Sequence, residues 1–437
     1  MPAQDCGQDA DGPCGVKESG DCGWRTKVRR QAEGLPHRRG RQYSYGVRQL
    51  STSFTGLQPD GCYASETMKA VAVHLQSKQV GLVDQEIPSL ANPDDVRIRM
   101  LEVGVCGTDK EICRFEYGVA PSGSEYLVLG HESLGQVEQV GPEVQGVQEG
   151  DLVVTMVRRP CLDLSCLACA SSHQDFCYTG KFEERGINSI HGFMTGFVVD
   201  RDRYICKVPA HLREIAVLTE PLTIAEKGLS ELDLIQKRLP WGAPGQMEGY
   251  RHNALVLGAG PVGILGAMAL VVRGYTTYVY SLETPDDPKA QLCTSFGAKY
   301  LSSKEFTVDQ VAVKIGNIDV IYEATGYSPL TFDAMRILGN NGVFVLTGIP
   351  GHKPPIPVDT DFIMRQMVLK NQVVVGTVNA PRVAFENAIA DLEAFDAKFP
   401  QAVRNVITRR YEIGEHGDLL LGRAPGIKNV ISMEKAV

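Results

Sequence analysis

Apolar residues recur along this chain with two different periods, and the change from one to the other divides it. Between Met68 and about Val153 they come in short runs, KAVAVHL, DVRIRMLEVGVC, GQVEQVG and DLVVTMV, punctuated by Gly, Pro and Asp. Short Val- and Ile-rich runs closed by turn formers predict strands of an all-β or barrel-like unit. From about Asn253 the pattern alternates. NALVLGAG, TTYVYSLE, DVIYEATG and GVFVLTG read as strands, with helical periodicity through PVGILGAMALVVRG, DPKAQLCTSFGA and LTFDAMRILG between them. Strand–helix alternation predicts a parallel, doubly wound sheet, so the fold class is α/β with a separate β-barrel domain. The tail, from VVVGTVNAPRVAFENAIADLEAF to NVISM, is expected to return to the first unit.

The first 67 residues carry neither period. Between Trp24 and Phe54 the basic residues Arg25, Lys27, Arg29, Arg30, Arg38, Arg39, Arg41 and Arg48 face a single acid, Glu33. Such a segment is expected to be a disordered extension. Cys6, Cys14, Cys22 and Cys62 lie in it without a C-x-x-C pair. Its Arg-rich character resembles an organelle transit peptide, which Asp5, Asp9 and Asp11 oppose. The plainer reading is an extension upstream of a later start at Met68, where MKAVAV opens a first strand.

With 437 residues, 43% of them hydrophobic and 22% charged, the chain is long enough for two or three globular domains. A net charge of -8 discourages attraction to nucleic-acid phosphates and anionic lipid. No apolar run approaches the roughly 18 to 20 residues of a membrane span, and no secretory signal is recognisable. Small-molecule chemistry in a reducing cytoplasm is the expectation, with neither nucleic acid nor membrane as partner. In that setting clustered cysteines bind metal or react more often than they form disulfides.

VLGAGPVG places Gly258, Gly260 and Gly263 in a G-x-G-x-x-G turn between an apolar strand and a helical pattern. The first glycine permits the turn and the second lets the backbone approach a pyrophosphate. The third lets helix and strand pack closely, and the helix N-terminus attracts the phosphate charge. Glu283, at the end of the next strand, is positioned to accept hydrogen bonds from a ribose diol and to repel a 2′-phosphate, which favours NAD over NADP.

Four of the twelve cysteines, Cys161, Cys166, Cys169 and Cys177, form C-x4-C-x2-C-x7-C in a segment with few strand or helix signals. Tetrahedral zinc would organise such a loop in place of a core. A redox pair of Cys166 and Cys169 is the alternative, but it leaves the other two thiols without a role. Cys106, His131 and Glu132 sit beside glycines at strand ends, and Glu220 precedes Pro221 at a helix entry; thiolate, imidazole and carboxylate form a zinc donor set. Cys113, Cys206 and Cys293 fall in strand or helix patterns and read as core residues.

GHESLGQVEQVGPEVQGVQEGDLV, residues 130–153, resembles the zinc signature of the medium-chain dehydrogenase/reductase superfamily. With CGTD before it and the cysteine loop and dinucleotide unit after it, the resemblance covers Met68 to Val437. Within that superfamily the chain is most similar to glucose 1-dehydrogenases, through VRRPC, HQDFCYTG, HGFMTGFVVD, EPLTIAEKGL with QKRLPWG, and GTVNA. The resemblance implies a GroES-like catalytic domain over 68–222, completed by 376–437, and a Rossmann domain over 223–375. It implies oxidation of an aldose at C1 to its lactone, two zinc ions per chain, NAD or NADP, and a homodimer or homotetramer.

By matching position, Cys106, His131 and Glu220 would hold the catalytic zinc, with Glu132 as alternate ligand or base and the cysteine loop as structural zinc lobe. Thr108, Glu184 and Asn379 would contact sugar hydroxyls or the nicotinamide. Pro261, Val262, Thr325 and Gly348 complete the expected cofactor contacts. The first lobe spacing, Cys161 to Cys166, is longer than the superfamily's usual two residues. Two other readings stand beside this one: a polyol, alcohol or threonine dehydrogenase of the same superfamily, and a non-catalytic relative acting as a binding protein.

Overall fold

Strand Asp95–Gly104 is the hub around which the first unit is assembled. It pairs antiparallel with Glu132–Val140, with Phe197–Arg201 and with Lys428–Ser432, a strand more than 320 residues further along the chain. Leu152–Thr155 and Ile205–Val208 extend this seven-stranded sheet on one side and Ile407–Glu412 on the other. Thr67–His74 lies between Gln79–Glu86 and Leu127–Val128 in a smaller sheet. Backbone bonds from Lys69 to Ala436 and from Val71 to Met194 tie the two sheets together. Inward residues such as Val71, Ile98, Met100, Val103, Leu134 and Val137 are buried in one core, as alternating strand faces require. The computed structural model describes residues 67–241, 252–351 and 353–437. Apart from Thr67, the segment expected to be a disordered extension, with its four cysteines, lies outside the described residues.

Six parallel strands form the second unit, in the spatial order Lys299–Ser302, Thr276–Ser281, Asn253–Leu257, Val320–Glu323, Val343–Leu346, Val373–Gly376. Numbered along the chain, that order is 3-2-1-4-5-6, the doubly wound arrangement whose crevice opens between strands 1 and 4. Both faces are covered, which explains why ALVL, after Asn253, is continuously apolar. Leu255 and Leu257 pack with Tyr278, Tyr280 and Phe344 on one face, while Ala254 and Val256 join Ile264 and Met268 on the other.

Helix Thr219–Gln236 packs against Pro261–Val272, Arg382–Lys398 and strands from both units. The boundary expected at 222/223 therefore falls inside one continuous helix. The boundary expected at 375/376 falls at the last residue of strand Val373–Gly376, after which the chain returns to pair with the hub strand.

Candidate active site

The hub strand ends at Gly104, and the chain turns at once into the short helix Gly107–Cys113 with Cys106 at its N-cap. Asp109, fully buried, fixes this turn: its Oδ2 accepts from the Cys106 amide at 2.8 Å and its Oδ1 from the Gly130 amide at 3.2 Å. Gly130 has φ +91°, left-handed backbone where a Cβ would lie 2.7 Å from Met194 and Val103 side-chain atoms. The two glycine-flanked turns thus converge. The donor atoms of Cys106, His131 and Glu132 all lie within 4.8 Å of one another. Tetrahedral zinc with bonds of about 2.0–2.3 Å separates its ligands by roughly 3.3–3.8 Å, so this sulfur, nitrogen and oxygen set fits the ion with one position open.

Glu220 is not part of that set. It is buried at the entry of helix Thr219–Gln236, and burial pushes its carboxyl up to about 7, with His131 opposing and Glu132 reinforcing the shift. Thr108 Oγ1 stands 4.0 Å from Cys106 Sγ. His131 Nδ1 is 3.5 Å from Asp109 Oδ1, which raises the imidazole pKa although burial acts the other way. Glu132 has a partner that the sequence did not suggest, Lys428, whose ammonium donates to both carboxylate oxygens. The Glu132 carboxylate crosses the face of Gly104, where a Cβ would meet its Oε2 at 2.0 Å.

All four loop cysteines bring their sulfurs within 4.8 Å of one another, Cys161 included, and Cys166 and Cys177 are 3.9 Å apart. The edge of a zinc–sulfur tetrahedron is about 3.8 Å, so the longer first spacing does not prevent closure. Burial would raise the Cys177 thiol, but the Thr179 hydroxyl and neighbouring thiols bring it down to about 6. Burial instead takes Cys169 of the same lobe up to about 12, and Cys113, Cys206 and Cys293 shift the same way. Burial pushes these last three up to about 12, 11 and 12, as inert core thiols.

At the doubly wound sheet, Gly258 has φ +101° and Gly263 packs so closely that a Cβ would lie 2.2 Å from the Gly258 carbonyl. Nothing lies within 4 Å of a Cβ on Gly260, at the N-cap of helix Pro261–Val272, so the backbone is open there to a phosphate. Glu283 accepts from Lys289 Nζ at 2.8 Å and from Ser281 Oγ at 2.6 Å. Burial would raise its carboxyl; these two donors instead hold it below the ordinary range and ionised. Thr325 and Gly348 sit at neighbouring strand ends, joined by Glu323, another residue not singled out from sequence. Its buried carboxylate accepts from the amides of Thr325, Gly326 and Gly348 at 2.7, 2.9 and 3.2 Å. Those amides are therefore engaged within the protein.

Glu184 and Asn379, 195 residues apart, meet: Asn379 Nδ2 donates to Glu184 Oε1 at 2.9 Å. Arg158 donates to the same oxygen. Among the described residues Glu184 Oε2 takes no hydrogen bond.

Residues 213–433 match the family described as glucose dehydrogenase C-terminus, and residues 92–210 the alcohol dehydrogenase GroES-like domain. The glucose 1-dehydrogenase of Methanocella arvoryzae is 36% identical over 367 residues, 84% of this chain and 99% of that protein. Glucose 1-dehydrogenase 1 of Caldivirga maquilingensis is 36% identical over 372 residues, again 84% and 99%. A solved structure of Haloferax mediterranei glucose dehydrogenase, in complex with NADP, zinc and gluconolactone, is similar with a TM-score of 0.74 at 30% identity, covering 84% of this chain and 99% of that one.

Proposed function

Because the chain belongs to the glucose dehydrogenase family of zinc-dependent medium-chain dehydrogenases, we propose that it oxidises glucose or a related aldose at C1 to the lactone, with NAD or NADP as acceptor. The observation that carries this reading is the converged Cys106, His131 and Glu132 donor set, in a chain that also holds the open glycine turn of a dinucleotide site. Zinc supplies Lewis-acid polarisation of the anomeric oxygen, and the nicotinamide supplies the hydride acceptor. Everything else falls to this chain's own residues. Thr108 Oγ1, beside Cys106, relays the departing hydroxyl proton, accepting it as its own hydroxyl proton passes on toward solvent, while Lys428 fixes the Glu132 carboxylate of the donor set. Glu184 Oε2 accepts a sugar hydroxyl, and Asn379 stands beside it. Glu220 supplies a further buried carboxyl at the donor set.

A second zinc is assigned to the four-cysteine lobe on the same geometric ground. The ionised Glu283 favours NAD. The catalytic unit comprises 68–222 with 376–437, and the cofactor unit 223–375, joined through helix Thr219–Gln236. Strand Val373–Gly376 is a sheet edge, and the helix beside it, Thr360–Leu369, buries none of its residues and exposes Met364, Val368 and Leu369. That apolar edge supports a homodimer, or a homotetramer built as a dimer of dimers. Among the described residues no helix is long and apolar enough to cross a membrane, and unpaired thiols suit a cytoplasmic location.

The test is an initial-rate comparison of glucose, galactose, xylose, sorbitol and threonine with NAD and with NADP. Aldoses are expected to be turned over fastest. Sorbitol or threonine matching glucose would replace the sugar assignment with that of the polyol or amino-acid enzyme.

A further inference from the structure

Four charged side chains are buried together beside the proposed sugar subsite, and the chemistry described so far uses one of them. Arg158 extends under the ring of Phe182, its guanidinium 3.7 Å from the ring centre. It donates from Nε to Glu184 Oε1 at 3.0 Å and from Nη1 to the Asp175 carbonyl at 3.2 Å. Asp175 belongs to the cysteine lobe, between Cys169 and Cys177. Its carboxylate accepts from Lys227 Nζ at 2.8 Å, and its other oxygen, Oδ1, is buried without a partner. Lys227 stands two helical turns after Glu220 on the same helix and donates a second bond, at 3.0 Å, to the Val378 carbonyl. The next residue is Asn379, held at φ +59° with its side chain on Glu184.

Arg158, Glu184, Asp175 and Lys227 all have side chains no more than 7% exposed. Burying four ions is costly, and apolar packing would hold these segments together at least as well. What apolar packing cannot do is fix the direction of a carboxylate oxygen. The geometry points to a positioning role: Lys227 and Arg158, anchored on Asp175 of the cysteine lobe, hold Asn379 and Glu184 so that Glu184 Oε2 faces a substrate hydroxyl.

This inference rests on the reading of Glu184 as a sugar-binding residue. It makes the cysteine lobe a support of sugar affinity as well as of shape. Lys227 acts on the sugar through Asn379, and Arg158 acts through Glu184; neither touches the nucleotide turn at Gly258–Gly263.

The experiment compares the full-length wild type with Lys227→Met, Lys227→Arg and Arg158→Lys. It measures KM for glucose and for the nucleotide separately, kcat, zinc content, and glucose binding by calorimetry in the presence of the oxidised nucleotide. Lys227→Met is expected to raise the glucose KM and dissociation constant about tenfold or more, the scale of one lost charge-assisted bond, with nucleotide KM and zinc unchanged. Lys227→Arg keeps the cation and recovers most of that loss. Arg158→Lys, which retains charge but not the fork, is expected to weaken glucose binding in the same selective way. If Lys227→Met weakens sugar and nucleotide equally, or loses zinc, the cluster is only structural and the inference fails. An unchanged glucose KM in both Lys227→Met and Arg158→Lys also overturns it. Should Lys227→Met not fold, Arg158→Lys and Lys227→Arg carry the same comparison. A wild type that oxidises no aldose brings down the sugar reading and this inference together, an outcome visible before any variant is made.

Discussion

Lys428 donates from Nζ to both oxygens of Glu132, at 2.6 and 2.7 Å, and also to the Val105 carbonyl at 3.2 Å. Both side chains are 2% exposed. Burial works against the ammonium, but Glu132 and Cys106 hold it charged. One carboxylate of the converged Cys106, His131 and Glu132 cluster is thereby restrained by a cation that comes from the far end of the chain.

Removing one partner strands the other charge. Lys428→Met is expected to lower stability by about 3–5 kcal/mol, the usual cost of breaking a buried pair. Adding Glu132→Gln to Lys428→Met should return much of it. Urea unfolding of both singles and the double gives the coupling directly. Additive losses would mean that the two groups do not act as a pair.

Asp200 offers a pH-dependent case. Burial would raise its carboxyl, but Arg185 and Arg159 outweigh it and hold it below the ordinary range. Arg185 donates to Asp200 Oδ2 from Nη2 at 3.0 Å and from Nε at 3.1 Å, and Arg159 reaches the same oxygen. A carboxyl with a depressed folded-state pKa stabilises the fold above its unfolded pKa of about 3.9, and the contribution is lost as pH falls through the folded value. Asp200→Asn is therefore expected to cost about 3–5 kcal/mol at pH 7, and the gap to wild type should narrow toward pH 3. A gap that is constant between these pH values would show that the ionised form is not what matters.

Cys161→Ser tests the lobe. Metal analysis of the wild type is expected to find about two zinc ions per chain, and the variant about one, with a lower thermal midpoint. Cys106→Ser should lose the other ion, with activity falling far more than stability. Full zinc retention in Cys161→Ser would leave the lobe with a different fourth ligand.

Glu323 gathers three amides from two strand ends, so Glu323→Ala should loosen both loops beside the cofactor crevice. Nucleotide KM is expected to rise about tenfold, consistent with losing bonds to a charged acceptor, with glucose KM little changed. Equal effects on both substrates would point to general destabilisation instead.

Local chemistry made much of this architecture readable. The GAGPVG turn needs glycine for reasons of space that act within a few residues, and the cysteine loop carries its donors within seventeen. Strand periodicity identified both units for the same reason. Lys428, Arg158, Lys227 and Glu323 were not legible, because each matters only through a partner that the fold brings to it; 296 residues separate Lys428 from Glu132. A lysine in GIKNV has no period or spacing to mark it. Helix Thr219–Gln236 hid a boundary for a related reason: a helix shared by two units is buried along most of its length, so its pattern has no break where one unit meets the other.

Glu283 decides the last prediction, and its partner makes the test sharper than a simple charge removal. A carboxylate at the end of the second strand of a doubly wound sheet pairs with the ribose diol of NAD and repels the 2′-phosphate of NADP. Here the carboxylate also ties up Lys289, whose ammonium sits 2.8 Å from Glu283 Oε1. Glu283→Ser removes the repulsion and frees that cation at once. Two effects on NADP then act in one direction, while NAD loses its acceptor. We expect kcat/KM for NAD to fall about tenfold and that for NADP to rise by a similar factor, each about 1.4 kcal/mol of transition-state binding. Glu283→Ser combined with Lys289→Met should keep the loss for NAD and cancel most of the gain for NADP. If the single variant leaves the NAD to NADP ratio of kcat/KM where it was, Glu283 does not set the preference.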